Sequence, residues 1–512
     1  MVKRIDDVLS FADDGRLGIE ECTASDLAER FGTPLYVISE AQLRRNARHF
    51  REAFAKRWPD GAVNVLPAIK ANYCLALRRI LTEEGCGCDL FSEGELWAAL
   101  ECGVDPALMS LNGNSKLGVD SDILRTAVEH RVRITLDDAE EFDAVEEVAR
   151  ALGKKARIRF RLRPEYRALR APSEFLAELI PTELATQAYK SGIPTEDLIP
   201  LGRRALASEH VAVTGVHIHQ GRHRRDLKFW KGTIEGLVAL LAFLKKEWDG
   251  WEPAEIDVGG GFATPRDPLG REIDRTATLT TGILWSGNWL GSLVGRLRHR
   301  ILRRLIALQR SPGDRVGPNP LVGKAPTVEE YAEVVTTTLR TELGRRGLDP
   351  QGKTLEVEPG RALYGDAGLH LARVTFIKRQ KEPIPWVWVN TDTTESFLSD
   401  QAAEHSRLRY LVADKPIDGV PEDRRITADI VGRSCNPDRI IGDASLPAAV
   451  SPGDVIAFLD TGAYQDAAAA NFNALPRPAT VLVHGAEAEV IKRAERVEDV
   501  FARDIVPDRL RG

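Results

Sequence analysis

The sequence predicts an α/β chain, a (β/α)8 TIM-type barrel followed by a C-terminal β domain, and three observations carry that prediction. From Leu35 to about residue 375, apolar runs of strand length alternate with amphipathic stretches of helix length, the signature of repeated βα units around a parallel sheet. Beyond residue 375 the strand patterns continue while helical ones nearly stop, which marks a separate β domain. Lys70, His219, Gly259 to Gly261 and Glu358 each fall just after a predicted strand, where a barrel of this type keeps its chemistry.

Taken in order, residues 1–34 hold a short strand-like piece and a helix over Ala24–Phe31, and they are expected to join the β domain. The barrel is expected over 35–375, with candidate strands Leu35–Ile38, Val63–Ile69, Cys88–Phe91, Leu108–Asn112, Val132–Leu136, Arg157–Arg163, Val213–Ile218, Glu255–Val258 and Thr354–Val357. A helical insertion at about 263–326 interrupts it, too long for an ordinary βα connection. Within the insertion, Ile283–Arg310 alternates Leu and Trp with Arg as a basic amphipathic helix, suited to packing on the barrel or a neighbouring subunit, to covering the site, or to a membrane surface. The β domain, 376–512, carries strand patterns at Leu371–Lys378, Trp386–Asn390, Ala428–Val431, Asp454–Leu459 and Ala479–Val483.

Composition limits the function classes. The 512 residues, 43% hydrophobic and 29% charged, can bury a large core and do not resemble a disordered or membrane-spanning chain. A net charge of −6 supplies no positive field for nucleic acid, so a nucleic-acid partner is not expected. The first residues, MVKRIDDVLSFADD, lack an apolar signal core, and the 6 cysteines show no paired C-x-x-C spacing. The expectation is a cytoplasmic protein with neither disulfide framework nor zinc site.

PAIKANY (67–73) delivers Lys70 from the end of a buried strand. Such a lysine either snorkels to the surface or serves as a Schiff-base amine, which must be partly desolvated to be nucleophilic near neutral pH. IDVGGGF (256–262) ends a strand in three glycines, which allow backbone amides to approach an anion closely; Gly-rich turns at strand ends also occur without any ligand. EPGR (358–361) puts an acid and a base at a strand end, either as a rim ion pair or as a site. His217 and His219 share one face of their strand, as core histidines or as metal ligands, although no carboxylate lies beside them in the chain. Cys435, among Gly, Asn and Pro, reads as a loop thiol.

Taken together these pieces resemble the fold-type III pyridoxal-phosphate decarboxylases, the alanine racemase-like fold of the ornithine, arginine and diaminopimelate decarboxylases. The resemblance runs through TPLYVIS (33–39), PAIKANY, CDLFSEGEL (88–96), NGNSK (112–116), RLRP (161–164), VHIHQG (216–221), IDVGGGF, EPGR, GRSC (432–435), GDVIAFLDTGAY (453–464) and NFNALPRP (471–478). It implies decarboxylation of a basic or dicarboxylic amino acid, or a derivative, through aldimine and quinonoid intermediates on pyridoxal 5'-phosphate, with no metal. By the same resemblance Lys70 holds the cofactor, Glu358 faces the pyridine nitrogen and His219 stacks on the ring. Gly259, Gly260, Gly261, Gly360, Arg361 and Tyr464 hold the phosphate, while Asp89, Glu95 and Arg161 frame Lys70 and His219. Cys435 reprotonates Cα from a partner subunit, so a head-to-tail homodimer with shared active sites is implied, and Asn436, Asp438 and Asp392 are candidate substrate contacts.

The chain also departs from that pattern. Arg222 replaces a phosphate-contacting serine, Arg433 a proline before the cysteine, and Asn436 the glutamate that diaminopimelate decarboxylases carry after it. The Arg-Pro-x-Leu-Tyr run that seats a distal carboxylate in those enzymes has no counterpart in NTDTTESFLSDQAAEHSRLRYLV (390–412). Losing such contacts is expected to remove most discrimination for a distal amino-carboxylate. A racemase or epimerase on the same fold is the alternative enzyme, opposed by Glu358 where such racemases place an arginine. A non-catalytic regulatory homologue is the other alternative, opposed by the retention of Lys70 and Cys435.

Overall fold

The structure, a computed structural model, describes residues 3–4, 7–12, 15–114, 116–118, 122–163, 191–219, 227–263, 325–381, 386–398, 408–415, 421–435 and 439–511. These fall into two compact units, one of residues up to 42 and from 365 onward, the other of residues 43 to 263 and 325 to 364.

The second unit is the barrel. Its strands are β1 (Val63–Val65), β2 (Cys88–Leu90), β3 (Met109–Leu111), β4 (Arg133–Leu136), β5 (Ala156–Arg161), β6 (Val211–His217), β7 (Glu255–Asp257) and β8 (Thr354–Val357). Each pairs in parallel with the next from β2 to β8, and β8 pairs with β1. A parallel bridge between Ala68 and Asp89 joins the continuation of β1 to β2 and closes the ring. Its register sets Arg161 beside His217, His217 beside Asp257, Asp257 beside Glu356, and Glu356 beside Asn64.

Barrel interiors of this type are usually filled by Val, Ile and Leu, whereas here the inward positions are charged. Period-two alternation does this: in RIRFR the arginines 157, 159 and 161 share one strand face and Ile158 and Phe160 the other, and in TLEVE Glu356 and Glu358 alternate with Leu355 and Val357. Arg159 spans the centre, its Nη1 2.5 Å from Glu356 Oε2, its Nη2 2.7 Å from Asp257 Oδ2, and its Nε donating to Thr135 Oγ1 at 2.8 Å. Arg133 pairs with the other oxygen of Glu356, to which Asn64 Nδ2 also donates at 2.8 Å. Charges buried this deeply persist only when paired, and deleting one partner costs about 3–5 kcal/mol.

The outward apolar residues lie under the helices. Trp230 on the helix Leu227–Glu247 stacks on Phe262 at 4.7 Å between ring centroids, and Tyr331 on the helix Val328–Arg345 meets both rings edge-on. Thr327 and Glu330 cap the latter helix reciprocally. This packing anchors the segment that follows Gly259 to Gly261.

In the first unit, a nine-stranded sheet runs in the order 439–447, 425–431, 386–391, 368–380, 35–39, 479–484, 487–492, with 455–459 pairing 368–380 and 410–412. Gly368–Gln380 is long enough to serve two partner sets, 35–38 and 455–459 along its first half and 386–391 along its second. A four-stranded antiparallel meander over residues 3–23 packs Leu9, Phe11, Leu17 and Ile19 against Leu35, Val37, Leu369 and Leu371. The helix Ala24–Phe31 starts at Thr23, whose Oγ1 accepts from the Asp26 amide at 3.1 Å.

One expected strand is reassigned. Leu35–Ser39 is not a barrel strand: it pairs antiparallel with Gly368–Leu371 and parallel with Ala479–Val483. All five of its residues are buried, and a strand covered on both faces reads as a continuous apolar run in either kind of sheet. The basic stretch Ile283–Arg310 lies outside the described residues. Among the described residues no helix is long and apolar enough to cross a membrane.

Candidate active site

The C-terminal ends of the barrel strands gather most of the residues that the sequence singled out. Lys70 sits in a single 3-10 turn, Ile69–Ala71, that follows β1, and its Nζ donates to Asp89 Oδ2 at 2.8 Å. The same Nζ lies 4.4 Å from the centroid of the Phe91 ring. Asp89, on β2, is buried; burial pushes its carboxyl upward, but the Lys70 ammonium and the Asn112 amide outweigh that and hold it below the usual range.

Asn112 Nδ2 donates to Asp89 Oδ1 at 2.7 Å and to Glu358 Oε1 at 2.6 Å. Glu358 also meets His217 Nε2 at 3.2 Å. Burial first, and the neighbouring Asp89 charge second, raise the Glu358 carboxyl to about 7. Asp257 is pushed to about 8 by burial and by Glu358, although Arg159 opposes the shift. Glu356, one layer deeper, goes the other way: Arg133 and Arg159 overcome its burial and hold it at about 2. Carboxyls on adjacent strands are thus split into one held ionised and two poised near neutrality by their environments alone.

His219 is kept neutral by burial and then by the Lys70 charge, and its Nδ1 accepts from the Gly260 amide at 3.3 Å. His217 is driven down to about 3 by burial. The chain offers His217 no neighbouring carboxylate, but the fold supplies two, since His217, Asp257 and Glu358 bring ligand-type atoms within 4.8 Å of one another. Arg159 contributes a positive charge to the same carboxylates, 2.7 Å from Asp257 and 3.9 Å from Glu358.

The other expected residues are placed as follows. Gly259 and Gly261 adopt φ of 72° and 95°, which favour glycine, and the Gly259 amide donates to Asp257 Oδ1 at 2.8 Å. Two of the three glycine amides are therefore already engaged within the rim. Gly360 and Arg361 open the short helix Arg361–Tyr364 directly after β8. Arg161 lies 3.7 Å from Asp137, and its Nη1 is buried without a hydrogen-bond partner among the described residues. Glu95 serves the start of the helix Glu93–Glu101, accepting from the Phe91 amide at 2.6 Å.

In the first unit, Tyr464 has a φ of 65°. Asp392 accepts from Thr33 Oγ1 at 2.6 Å and from the Arg373 amide at 2.8 Å, so both its oxygens are committed within that unit. Cys435 is exposed; its Sγ accepts from Asn473 Nδ2 at 3.2 Å and its amide donates to Asn473 Oδ1 at 2.9 Å. Asn436 and Asp438 lie outside the described residues.

Residues 40–282 match the family model described as the pyridoxal-binding domain of pyridoxal-dependent decarboxylases. The chain is 29% identical to the diaminopimelate decarboxylase of Methanothermobacter thermautotrophicus and 27% identical to that of Methanocaldococcus jannaschii, with 97% of each chain covered in both comparisons. Over residues 40–282 it matches the pyridoxal-dependent decarboxylases, and over nearly its whole length it is similar to diaminopimelate decarboxylases. The crystal structure of the M. jannaschii enzyme in complex with L-lysine superposes with a TM-score of 0.78 at 26% identity, covering 99% of both chains. This chain is accordingly a carboxy-lyase that uses pyridoxal 5'-phosphate and acts on an amino acid.

The residues present suit that cofactor. An amine, Lys70, and a carboxyl poised near 7, Glu358, occupy opposite ends of one hydrogen-bonded chain, Lys70 to Asp89 to Asn112 to Glu358. A neutral histidine lies at the same rim, and a buried guanidinium nitrogen has no hydrogen-bond partner among the described residues. Asn112, Arg159, Asp257 and Glu356 were given no role of their own from the sequence, although alternation of charged with apolar residues in RIRFR, EIDV and TLEVE is the signal that could have found the last three.

Proposed function

We propose that this decarboxylase releases CO2 from a basic or dicarboxylic amino acid, or a derivative, whose distal end differs from the amino-carboxylate of diaminopimelate. The observation that supports the role of the site residues is the continuous chain from Lys70 through Asp89 and Asn112 to Glu358. Bound pyridoxal phosphate supplies the electron sink for the pair left on Cα as CO2 departs. Lys70 would hold its carbonyl carbon, and Asp89 would balance the charge of the amine at that position. Glu358 holds a proton at the pyridine nitrogen, for which a carboxylate buried beside it is suited. His219, kept neutral, would offer a ring face without adding charge, and Gly261, Gly360 and Arg361 would hold the phosphate. Cys435, contributed by the second subunit of a cytoplasmic head-to-tail homodimer, delivers the proton to Cα.

The substrate reading rests on Asn436 in place of glutamate and on the absence of an Arg-Pro-x-Leu-Tyr run in residues 390–412. A panel of amino acids assayed for CO2 release tests it. The expected result is a preferred substrate turned over at least about tenfold more efficiently than meso-diaminopimelate, a margin of roughly 1.4 kcal/mol in transition-state binding. Diaminopimelate at the head of the panel would refute it.

Cys435→Ala is expected to bind the cofactor normally and to lose on the order of 10²- to 10⁴-fold in kcat, the usual contribution of a positioned acid. Unchanged steady-state rates and an unchanged product distribution would remove Cys435 from the mechanism.

A further inference from the structure

Asn112 directly follows β3 and is fully buried, and its orientation is dictated from below. Arg159 Nη2 donates to Ser110 Oγ, which occupies a lone pair of that hydroxyl. The hydroxyl hydrogen is left to Asn112, and Ser110 Oγ donates to Asn112 Oδ1 at 2.9 Å. With its oxygen fixed in this way, the Asn112 amide must turn both N–H groups toward Asp89 and Glu358. The reversed amide would set an acceptor against two carboxylates. No rotamer of a shorter or purely accepting side chain supplies two donors at this point.

These two carboxylates serve the two ends of the cofactor in the function proposed above. We infer that Asn112 is a positioning residue which, by donating to both carboxylates, fixes the separation of the Lys70 acceptor from the ring-nitrogen acceptor and so sets the length of molecule that the barrel mouth can hold. The inference rests on that reading of Lys70 and Glu358. It goes beyond it in assigning cofactor affinity to a residue whose side-chain donors serve the two carboxylates.

The test exploits the difference between amide and carboxyl. Asn112→Asp keeps the shape, exchanges two donors for an acceptor when ionised, and regains one donor when protonated. The charged and titratable groups facing the position are Lys70, Asp89 on β2, Arg159 on β5, His217 on β6, Asp257 on β7 and Glu358 on β8. Because these titrate in the parent protein as well, the quantity to read is the ratio of the variant's dissociation constant for pyridoxal phosphate to the parent's at each pH, taken from titration of the visible band. The ratio is expected to be at least about tenfold at pH 8, since two hydrogen bonds to charged acceptors are lost, and to fall toward one as the pH is lowered to 6. A ratio near one throughout, or a large ratio that does not vary with pH, would overturn the inference.

Asn112→Ala, which adds no charge, provides the second measurement should the aspartate variant not fold. It is expected to bind the cofactor about fivefold or more weakly with no recovery at low pH, and parent-like affinity would equally refute the inference. A parent protein that forms no visible band at all would count against the proposed roles of Lys70 and Glu358 themselves, which distinguishes the two failures.

Discussion

Lys70→Ala protein supplied with pyridoxal phosphate is expected to show no visible band from lysine-bound cofactor and to lose on the order of 10⁴-fold or more in turnover, as enzymes do when they lose a group that bonds covalently during the reaction. The size of the effect follows from geometry. Nζ of Lys70 is the amine that Asp89 holds at 2.8 Å, and the truncated side chain leaves that buried carboxylate with Asn112 as its remaining side-chain hydrogen-bond donor among the described residues. The variant should still fold, because Lys70 is partly exposed and its ion pair lies at the rim rather than in the layer of Arg133, Arg159 and Glu356. A decisive refinement is to mix Lys70→Ala with Cys435→Ala subunits. If the proposed homodimer shares its sites, random reassociation restores roughly a quarter of the parent activity, since half the dimers carry one intact site of two. No recovery in a mixture shown to exchange subunits would place both residues in one chain's site. Retained turnover in Lys70→Ala alone would remove the lysine from the chemistry.

The sequence made the barrel legible because its strands announce themselves twice, by apolar outward residues and by chemistry at their C-terminal ends. Lys70, His219, the glycine turn and Glu358 stood out by their positions after strands, and their roles came from the family resemblance. Leu35–Ser39 was misplaced because burial on both faces erases the alternation that distinguishes one sheet from another, and only its partners at 368–371 and 479–483 settle the matter. The strands Tyr410–Val412, Arg439–Pro447 and Glu487–Lys492 were missed, and the last of these carries its buried residue among exposed ones. Asn112 was invisible for a different reason. An asparagine after a strand is ordinary turn chemistry, and its value comes from Asp89, 23 positions before it, and Glu358, 246 after it. The conversion of Glu358 into a carboxyl poised near 7 likewise requires the burial and the Asp89 charge that only the closed barrel supplies.

That environment makes Glu358→Gln the sharpest separation of function from stability in this protein. Glutamine has the same shape and its oxygen can still accept from Asn112, so the cofactor should remain attached to Lys70 and its band should persist. The variant cannot bring a negative charge to the pyridine nitrogen, and kcat is expected to fall on the order of 10²- to 10³-fold, comparable to removing one preorganised electrostatic partner from a transition state. Stability should move the other way. In the cofactor-free parent, Glu358 titrates near 7 when folded, above its ordinary value of 4.5, so between those values the folded protein holds a proton that the unfolded chain has released. This term therefore vanishes below about pH 4.5, grows as the pH rises through the window, and destabilises the parent fully above about pH 7. Glutamine carries no such penalty, and the cofactor-free variant should gain stability relative to the parent at pH 8 compared with pH 5, by a few kcal/mol at most, given about 1.4 kcal/mol per pKa unit. Paired denaturant titrations at the two pH values measure the gain. Equal stability differences at both, together with parent-like kcat, would mean that Glu358 neither carries the proton nor serves the ring, and that a deeper carboxyl such as Asp257, itself raised to about 8 by burial and by Glu358, holds the proton instead.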